Sequence, residues 1–230
     1  NVFLGNSAGR CRSTGSFNIA MGSNALVGLS TAASNTGAQN IALGYQAGNK
    51  ITTAHRNILI GCNAGCSIEH TGQCNVIMGI DAGKSLNEGS WNVFLGTYAG
   101  RDGTTGNANV MIGHQAGKAF TGNTCENVVI GYNAALTGTG GKRSVVIGWE
   151  AASAAAFTGG YNTIVGGAAG KNITSGTNNT FMGRSAGHCV TTGTRNTYLG
   201  NFAGGFGTGD AKTGGCNTAV GDYAGHKLSG

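Results

Sequence analysis

One nine-residue motif recurs thirteen times along the chain and constrains its fold more than any other feature. It first appears as NVFLGNSAG and last as NTAVGDYAG. A period of mostly 17 or 18 residues indicates one structural unit per copy, which buries apolar surface only against its neighbours. We therefore expect an all-β parallel β-solenoid of about 13 coils, a single repeat array over residues 1–230. The copies begin at Asn1, Asn18, Asn40, Asn57, Asn75, Asn92, Asn109, Asn127, Ser144, Asn162, Asn179, Asn196 and Asn217.

The glycine content supports an ordered repeat structure. The chain has 45 Gly and no Pro among its 230 residues, and Gly fills the fifth motif position of every copy. Glycine at fixed places marks turns or close backbone approach, whereas flexible linkers scatter it without a period. We therefore expect turns at these glycines and an ordered chain.

Motif positions two to four predict a short strand in every copy. β-Branched residues are enriched there, and Gly ends each run before a helix could form. In a strand, positions two and four share one face and position three points the other way. We read both faces as apolar, which is unusual for a thin solenoid in water.

The second apolar face predicts that the solenoid packs against other chains. We expect position three to face outward and to form the interface of a homotrimer. The alternative is that position three faces inward and that positions two and four form the outer surface, which also leaves an apolar stripe and also predicts an oligomer. The residues assigned to the oligomer interface are Phe3, Ile77, Phe94, Met111, Ile164, Phe181 and Tyr198.

Two further motif positions are expected to stabilise the stack. Asn opens twelve copies and would form a ladder of stacked amides, with Ser144 as the single departure; a simple turn-forming role is the alternative. Ala fills position eight of all thirteen copies, which marks a place where only a methyl group fits. We interpret the remaining, mostly polar residues of each repeat as a turn, a looser outer strand and a second turn, with longer loops at 27–39 and 205–216.

The copies NIALGYQAG, NTFMGRSAG and NTYLGNFAG resemble the head repeats of trimeric autotransporter adhesins and the similar repeats of phage tail fibres. The resemblance covers the whole chain. It implies a left-handed parallel β-roll, three chains wound about one axis with their inner strands facing each other, and an attachment role. The chain differs from this family in its longer period and its seven cysteines, which favours a virion fibre over a bacterial surface adhesin.

Residues outside the strands supply candidates for a glycan site. Aromatic side chains on the outer turns can stack on sugars, and basic side chains after the Ala-Gly turn can attract acidic polymers. Each aromatic could instead cover a neighbouring coil, and we favour the interpretation of the basic column as a solvated edge that deters aggregation. The candidate glycan contacts are Tyr45, Trp149, Arg10, Lys84, Arg101, Lys118 and Lys171.

The sequence offers little support for catalysis or metal binding. Cys62, Cys66, His70 and Cys74 are spaced by four residues, but paired C-x2-C ligands are missing. A Cys66–Cys74 disulfide or separate thiols are favoured over zinc. No catalytic triad, carboxylate pair or nucleotide motif recurs, so we expect no enzymatic activity, no metal and no cofactor.

The formal net charge of +6 favours polyanionic partners without identifying one. We expect an extracellular structural and adhesive fibre segment, most consistent with a virus or phage tail fibre, that attaches to a host cell-surface polysaccharide or other host receptor. We expect no nucleic-acid partner and no membrane insertion, and we expect the array to be a section of a longer chain. The alternatives are a bacterial surface adhesin head, a passive spacer or extracellular filament, and an ice-binding solenoid, which would need a flat array of stacked Thr.

Overall fold

The computed structural model describes residues 1–11, 14–29, 35–122, 124–154, 156–205 and 211–226. Within these ranges the chain contains strands, turns and bends and no helix. It divides into two compact units. The first comprises Asn1–Ile112 with Thr121–Asn123, and the second comprises Gly113–Phe120 with Thr124–Gly230. Parts of both predicted long loops, residues 30–34 and 206–210, lie outside the described residues.

The first unit contains one three-residue strand per motif copy, at the predicted positions two to four. Each strand pairs in parallel with the next in chain order, and the same motif position stands opposite itself, as Val2 does to Ile19. This unit is therefore a parallel β-solenoid. Its strands are β1 (Val2–Leu4), β2 (Ile19–Met21), β3 (Ile41–Leu43), β4 (Ile58–Ile60), β5 (Val76–Met78), β6 (Val93–Leu95) and β7 (Val110–Ile112).

The second unit repeats this arrangement. Its strands also pair in parallel and in chain order, with Thr163 opposite Thr180 as an example of the register. The prediction of an all-β parallel solenoid is therefore confirmed. The strands are β8 (Val128–Ile130), β9 (Val145–Ile147), β10 (Thr163–Val165), β11 (Thr180–Met182), β12 (Thr197–Leu199) and β13 (Thr218–Val220).

Motif position three points into the interior of its own chain, so the assignment of this position to the oligomer interface is wrong. Phe3, in the first coil, is 37% exposed because its strand is paired on one side only. The others are at most 3% exposed: Ile77, Phe94, Met111, Ile164, Phe181 and Tyr198. The physical reason is that the coil closes around these large side chains, which gives each unit its own apolar core.

A second core column lies in the stretch interpreted as a polar outer strand, so that interpretation is also wrong. The residue eleven places after the start of a copy is apolar in many repeats and is buried there. No second strand forms in the described part of the repeats, where turns, bends and isolated bridge residues are found instead, as in the bridge between Val190 and Lys212. The column comprises Ile51, Ile68, Leu86, Phe120, Ile173 and Val190.

Large and small residues compensate one another between the core columns. Position three is only Ala20 in the second copy, and Leu26 at position nine of that copy is completely buried. Leu26 reaches within 3.5 Å of where a Cβ atom would lie at Gly48 in the next coil. In the second unit, a Cβ at Gly138 would clash with the Phe120 ring. The interior is therefore filled by neighbouring coils together and not by each coil alone.

The stacked asparagine amides form the predicted ladder. The backbone N–H of Asn92 donates to Oδ1 of Asn75 at 2.9 Å, and its Nδ2 donates to the same oxygen at 3.1 Å. Nδ2 of Asn75 donates to Oδ1 of Asn57 at 3.0 Å and to the carbonyl oxygen of Gly89 at 2.9 Å. Equivalent bonds recur in both units. Each buried amide thus joins the coil before it, the coil after it and the turn beside it.

Ser144 keeps only part of this ladder. Its Oγ accepts a hydrogen bond from the N–H of Asn162 at 3.1 Å, and its own N–H donates to Oδ1 of Asn127 at 3.0 Å. Its Oγ also lies 3.3 Å from the carbonyl oxygen of Lys142, to which it donates. The serine therefore preserves the backbone link between coils. It lacks the side-chain NH2 group with which the asparagines bind the adjoining turn.

Glycine at position five is required by the distance between coils. At Gly79, where φ is +140°, a Cβ atom would lie 2.5 Å from the carbonyl oxygen of Gly96 in the next coil. Position six differs, because a Cβ at Gly167 would have no other atom within 4 Å. The fifth motif position therefore lets the coils approach, whereas the sixth tolerates almost any side chain.

Replacing Asn75 by Ala should destabilise the fold by about 3 kcal/mol, because it leaves a buried N–H and a buried carbonyl without partners. Asn75→Ser should cost about half as much, because a serine Oγ can still accept from the next coil, as Ser144 does. Denaturant unfolding measures both, with Asn172→Ala, a half-buried side chain outside the ladder, as the control. Equal losses for the Ala and Ser variants would contradict this account.

Candidate functional site

The outer strand face of the first unit is an apolar surface. It is formed by motif positions two and four of β1 to β7, all of which are Val, Ile, Leu or Met. These side chains cannot turn into the core, because alternate strand residues point to opposite sides and position three fills the interior. Six of them are 36–61% exposed: Val2, Leu4, Ile19, Met21, Ile58 and Met78.

The outer strand face of the second unit has a different chemistry. From β10 onward, position two is a threonine, and the strand register places Thr163, Thr180, Thr197 and Thr218 one after another. Position four remains apolar in these strands. From β10 onward, this face therefore carries one column of hydroxyl groups beside one column of apolar side chains.

Most basic glycan candidates of the first unit lie beside carboxylates of the same chain. Nζ of Lys84 is 3.2 Å from Asp81, and Nε of Arg101 is 2.7 Å from Asp102. Such pairs reduce the local charge that a polyanion would meet. The structure therefore favours the solvated-edge interpretation for these two residues.

The remaining candidates line neither of the described recesses. Tyr45 in the first unit is half exposed and Arg10 is exposed, and neither lies in a recess among the described pockets. Lys118 in the second unit is half-buried and lies outside the recess described next. In the first unit, Arg10 and Tyr45 therefore share no described recess.

The structure does bring Trp149 and Lys171 together, at a recess of about 410 Å³ in the second unit. Arg184 and His188, which the sequence reading did not select, also line it. The Trp149 ring is 56% exposed, and Nζ of Lys171 lies 2.9 Å from Glu150. A candidate aromatic residue and a candidate basic residue therefore share a concave surface here.

Burial lowers the pKa of His188, and the positive charge of Lys171 lowers it further. Both effects disfavour the protonated imidazole, because burial removes its hydration and Lys171 repels a second positive charge. His188 is therefore a neutral hydrogen-bonding group at neutral pH, and the cations of the recess are Lys171 and Arg184.

The cysteine-rich stretch does not form a metal centre in the described residues, which hold no group of three or more His, Cys, Asp or Glu suited to a metal ion. Cys66 and Cys74 are separate thiols. Burial raises the pKa of the Cys66 thiol, whose Sγ lies 3.6 Å from the carbonyl oxygen of Lys84. Of the alternatives left by the sequence, the structure has separate thiols.

No described helix is long and apolar enough to cross a membrane. Comparisons with protein-family models, with curated proteins and with solved structures found no match for this chain. Any functional proposal therefore depends on the repeat motif and the surfaces of the chain itself.

Two neighbouring residues of β4 test which face is the core. Leu59→Asp should unfold the first unit, because it buries a charge at a position with no solvent exposure. Ile58→Asp should leave the fold intact, because that side chain is 36% exposed. Circular dichroism and thermal unfolding measure both variants, and the reverse order of sensitivity would restore the outward assignment of position three.

Proposed function

We propose that this chain is a structural and adhesive segment of an extracellular fibre, most consistent with a virus or phage tail fibre, in which three copies pack through their outer strand faces. The observation that carries the proposal is the continuous apolar surface on β1 to β7. The resemblance of the motif to trimeric fibre repeats supports the same arrangement. A bacterial surface adhesin would use the same assembly.

The size of the apolar face supports assembly. The six most exposed side chains of this face present an area on the order of 500 Å², which is already within the range of the largest apolar patch on typical monomers. With the eight remaining side chains the face approaches the roughly 800 Å² per partner that stable complexes bury. Leaving this surface in water would oppose solubility, and covering it releases that water.

A second copy of the chain is the partner that fits this face best. The face contains no charged residue in any of the seven strands, so it offers a partner neither ion pairs nor hydrogen-bonding specificity. An identical copy presents apolar rows at the same spacing of about 4.8 Å, so that side chains can interdigitate along the stack. Three copies would bury their faces together around one axis.

The threonine column favours a second candidate function, ice binding. A flat sheet with evenly spaced hydroxyl and methyl groups can order water along its surface, and Thr163, Thr180, Thr197 and Thr218 supply such a row. The row is one threonine wide, because position four is apolar throughout. Fibre assembly remains the first proposal, because the first unit has no threonine at either outer position.

The assembly proposal predicts a mass of about three times 22.9 kDa in native mass spectrometry. The double variant Ile58→Asp with Met78→Asp should be a folded monomer, because assembly would bury unpaired carboxylates. Thr71→Asp adds a carboxylate at an exposed linker residue, outside the strand face, and should remain trimeric. A wild-type monomer at micromolar concentration would show that the outer strand face does not drive assembly.

The ice-binding candidate predicts thermal hysteresis by the wild-type chain. Thr197→Tyr should remove it, because a large ring interrupts the row of methyl and hydroxyl groups, whereas Thr71→Tyr in the first unit should not. An absence of hysteresis in the wild type rules this candidate out.

A further inference from the structure

The recess of the second unit follows from the stacking of three consecutive coils. Motif position six is Trp149 in one coil, Gly167 in the next and Arg184 in the third. Of the thirteen copies, only the one at Asn162 has glycine at this position. Because a Cβ at Gly167 would meet no other atom within 4 Å, the missing side chain leaves a gap between its two neighbours. With coils about 4.8 Å apart, Trp149 and Arg184 flank a space on the order of 10 Å.

One wall of this recess is suited to a sugar ring. Trp149 is 56% exposed, so much of its indole ring is open to solvent. An exposed indole presents a flat apolar surface with a polar N–H, and the C–H face of a pyranose can pack against it while the hydroxyl groups stay in water.

The opposite side of the recess is suited to an anion. Arg184 lies with its guanidinium carbon 5.0 Å from the centre of the Phe202 ring, which restricts its orientation without using its hydrogen-bond donors. Lys171 is paired with Glu150, which balances one positive charge. With His188 neutral, the groups around the recess carry a net charge of about +1, which suits a single carboxylate or sulfate better than a polyphosphate.

We propose that this recess binds a pyranose ring that carries one acidic group, as in a uronic-acid or sulfated polysaccharide, with the ring on Trp149 and the acid group on Arg184. The proposal rests on the attachment role proposed above and names its ligand class. It also distinguishes attachment from the passive-spacer alternative, in which this segment binds no saccharide.

Isothermal titration of the full chain with a short hexuronate oligosaccharide tests the proposal, and its carboxyl-reduced neutral counterpart and a sulfated oligosaccharide of similar length serve as comparison ligands. The wild type should bind the hexuronate or the sulfated ligand at least about tenfold more tightly than the neutral one, since a hydrogen bond to a charged group is worth that much. Its affinity should fall as salt is added.

Three variants separate the contributions of the recess. Trp149→Ala should weaken acidic and neutral ligands alike by about tenfold or more. Arg184→Gln should weaken only the acidic ligands. Gly167→Leu should abolish binding, because it fills the gap without changing any charge. Trp91→Ala removes an indole of the first unit that is 60% exposed, and it should change nothing.

Native mass spectrometry of the same samples separates this proposal from the fibre proposal. A trimer that binds none of the three saccharides at millimolar concentration, or that binds acidic and neutral ligands equally, overturns the recess proposal alone. Equal losses for Trp149→Ala and Trp91→Ala also overturn it, because binding would then be general aromatic adhesion. Selective binding by a monomer would support the recess and contradict the trimer.

Discussion

The buried hydrogen bonds of the asparagine ladder set the geometry on which the rest of the structure depends. An amide such as that of Asn75 spans from the coil before it to the coil after it, so the distance between coils is fixed by hydrogen-bond lengths of 2.9 to 3.1 Å. At that separation the backbones at position five leave no room for a Cβ atom. The same separation aligns motif positions two and four into continuous rows, so the outer face follows from the ladder inside.

The core tolerates variation because its columns share one space. Position three ranges from alanine to phenylalanine and tyrosine among the copies, and neighbouring positions adjust to it. Leu26 fills the room left by Ala20, and Gly138 makes room for Phe120. The ladder positions vary much less, with Ser144 as the one departure, because a hydrogen bond between coils requires a polar side chain at a fixed place in each coil. This difference explains why the motif is strict at some positions and loose at others.

The sequence predicts the period, the strands and the amide ladder because each depends on residues within one copy or at the same place in the next. It does not decide which strand face is the core. Both faces are apolar, and the alternation of side chains along a strand separates two faces without indicating which one is buried. Only the burial of residues such as Leu59 and Phe94 decides it. The second core column is hard to recognise because glycine interrupts it, as at Gly138. The recess is equally hard to find, because Trp149 and Arg184 belong to copies two coils apart.

The ladder also affects how a chain of this kind can change in length over evolutionary time. Each asparagine recognises only its adjacent coils, so duplication or loss of one whole repeat by recombination rejoins chemically equivalent surfaces. An insertion within the motif would instead shift the strand or its glycine turn out of register in that coil, whereas the spacer between motifs already varies, as the intervals of 17 and 22 residues between Asn1, Asn18 and Asn40 demonstrate. The number of coils is therefore an adjustable property, and changes to the surface can accumulate one coil at a time.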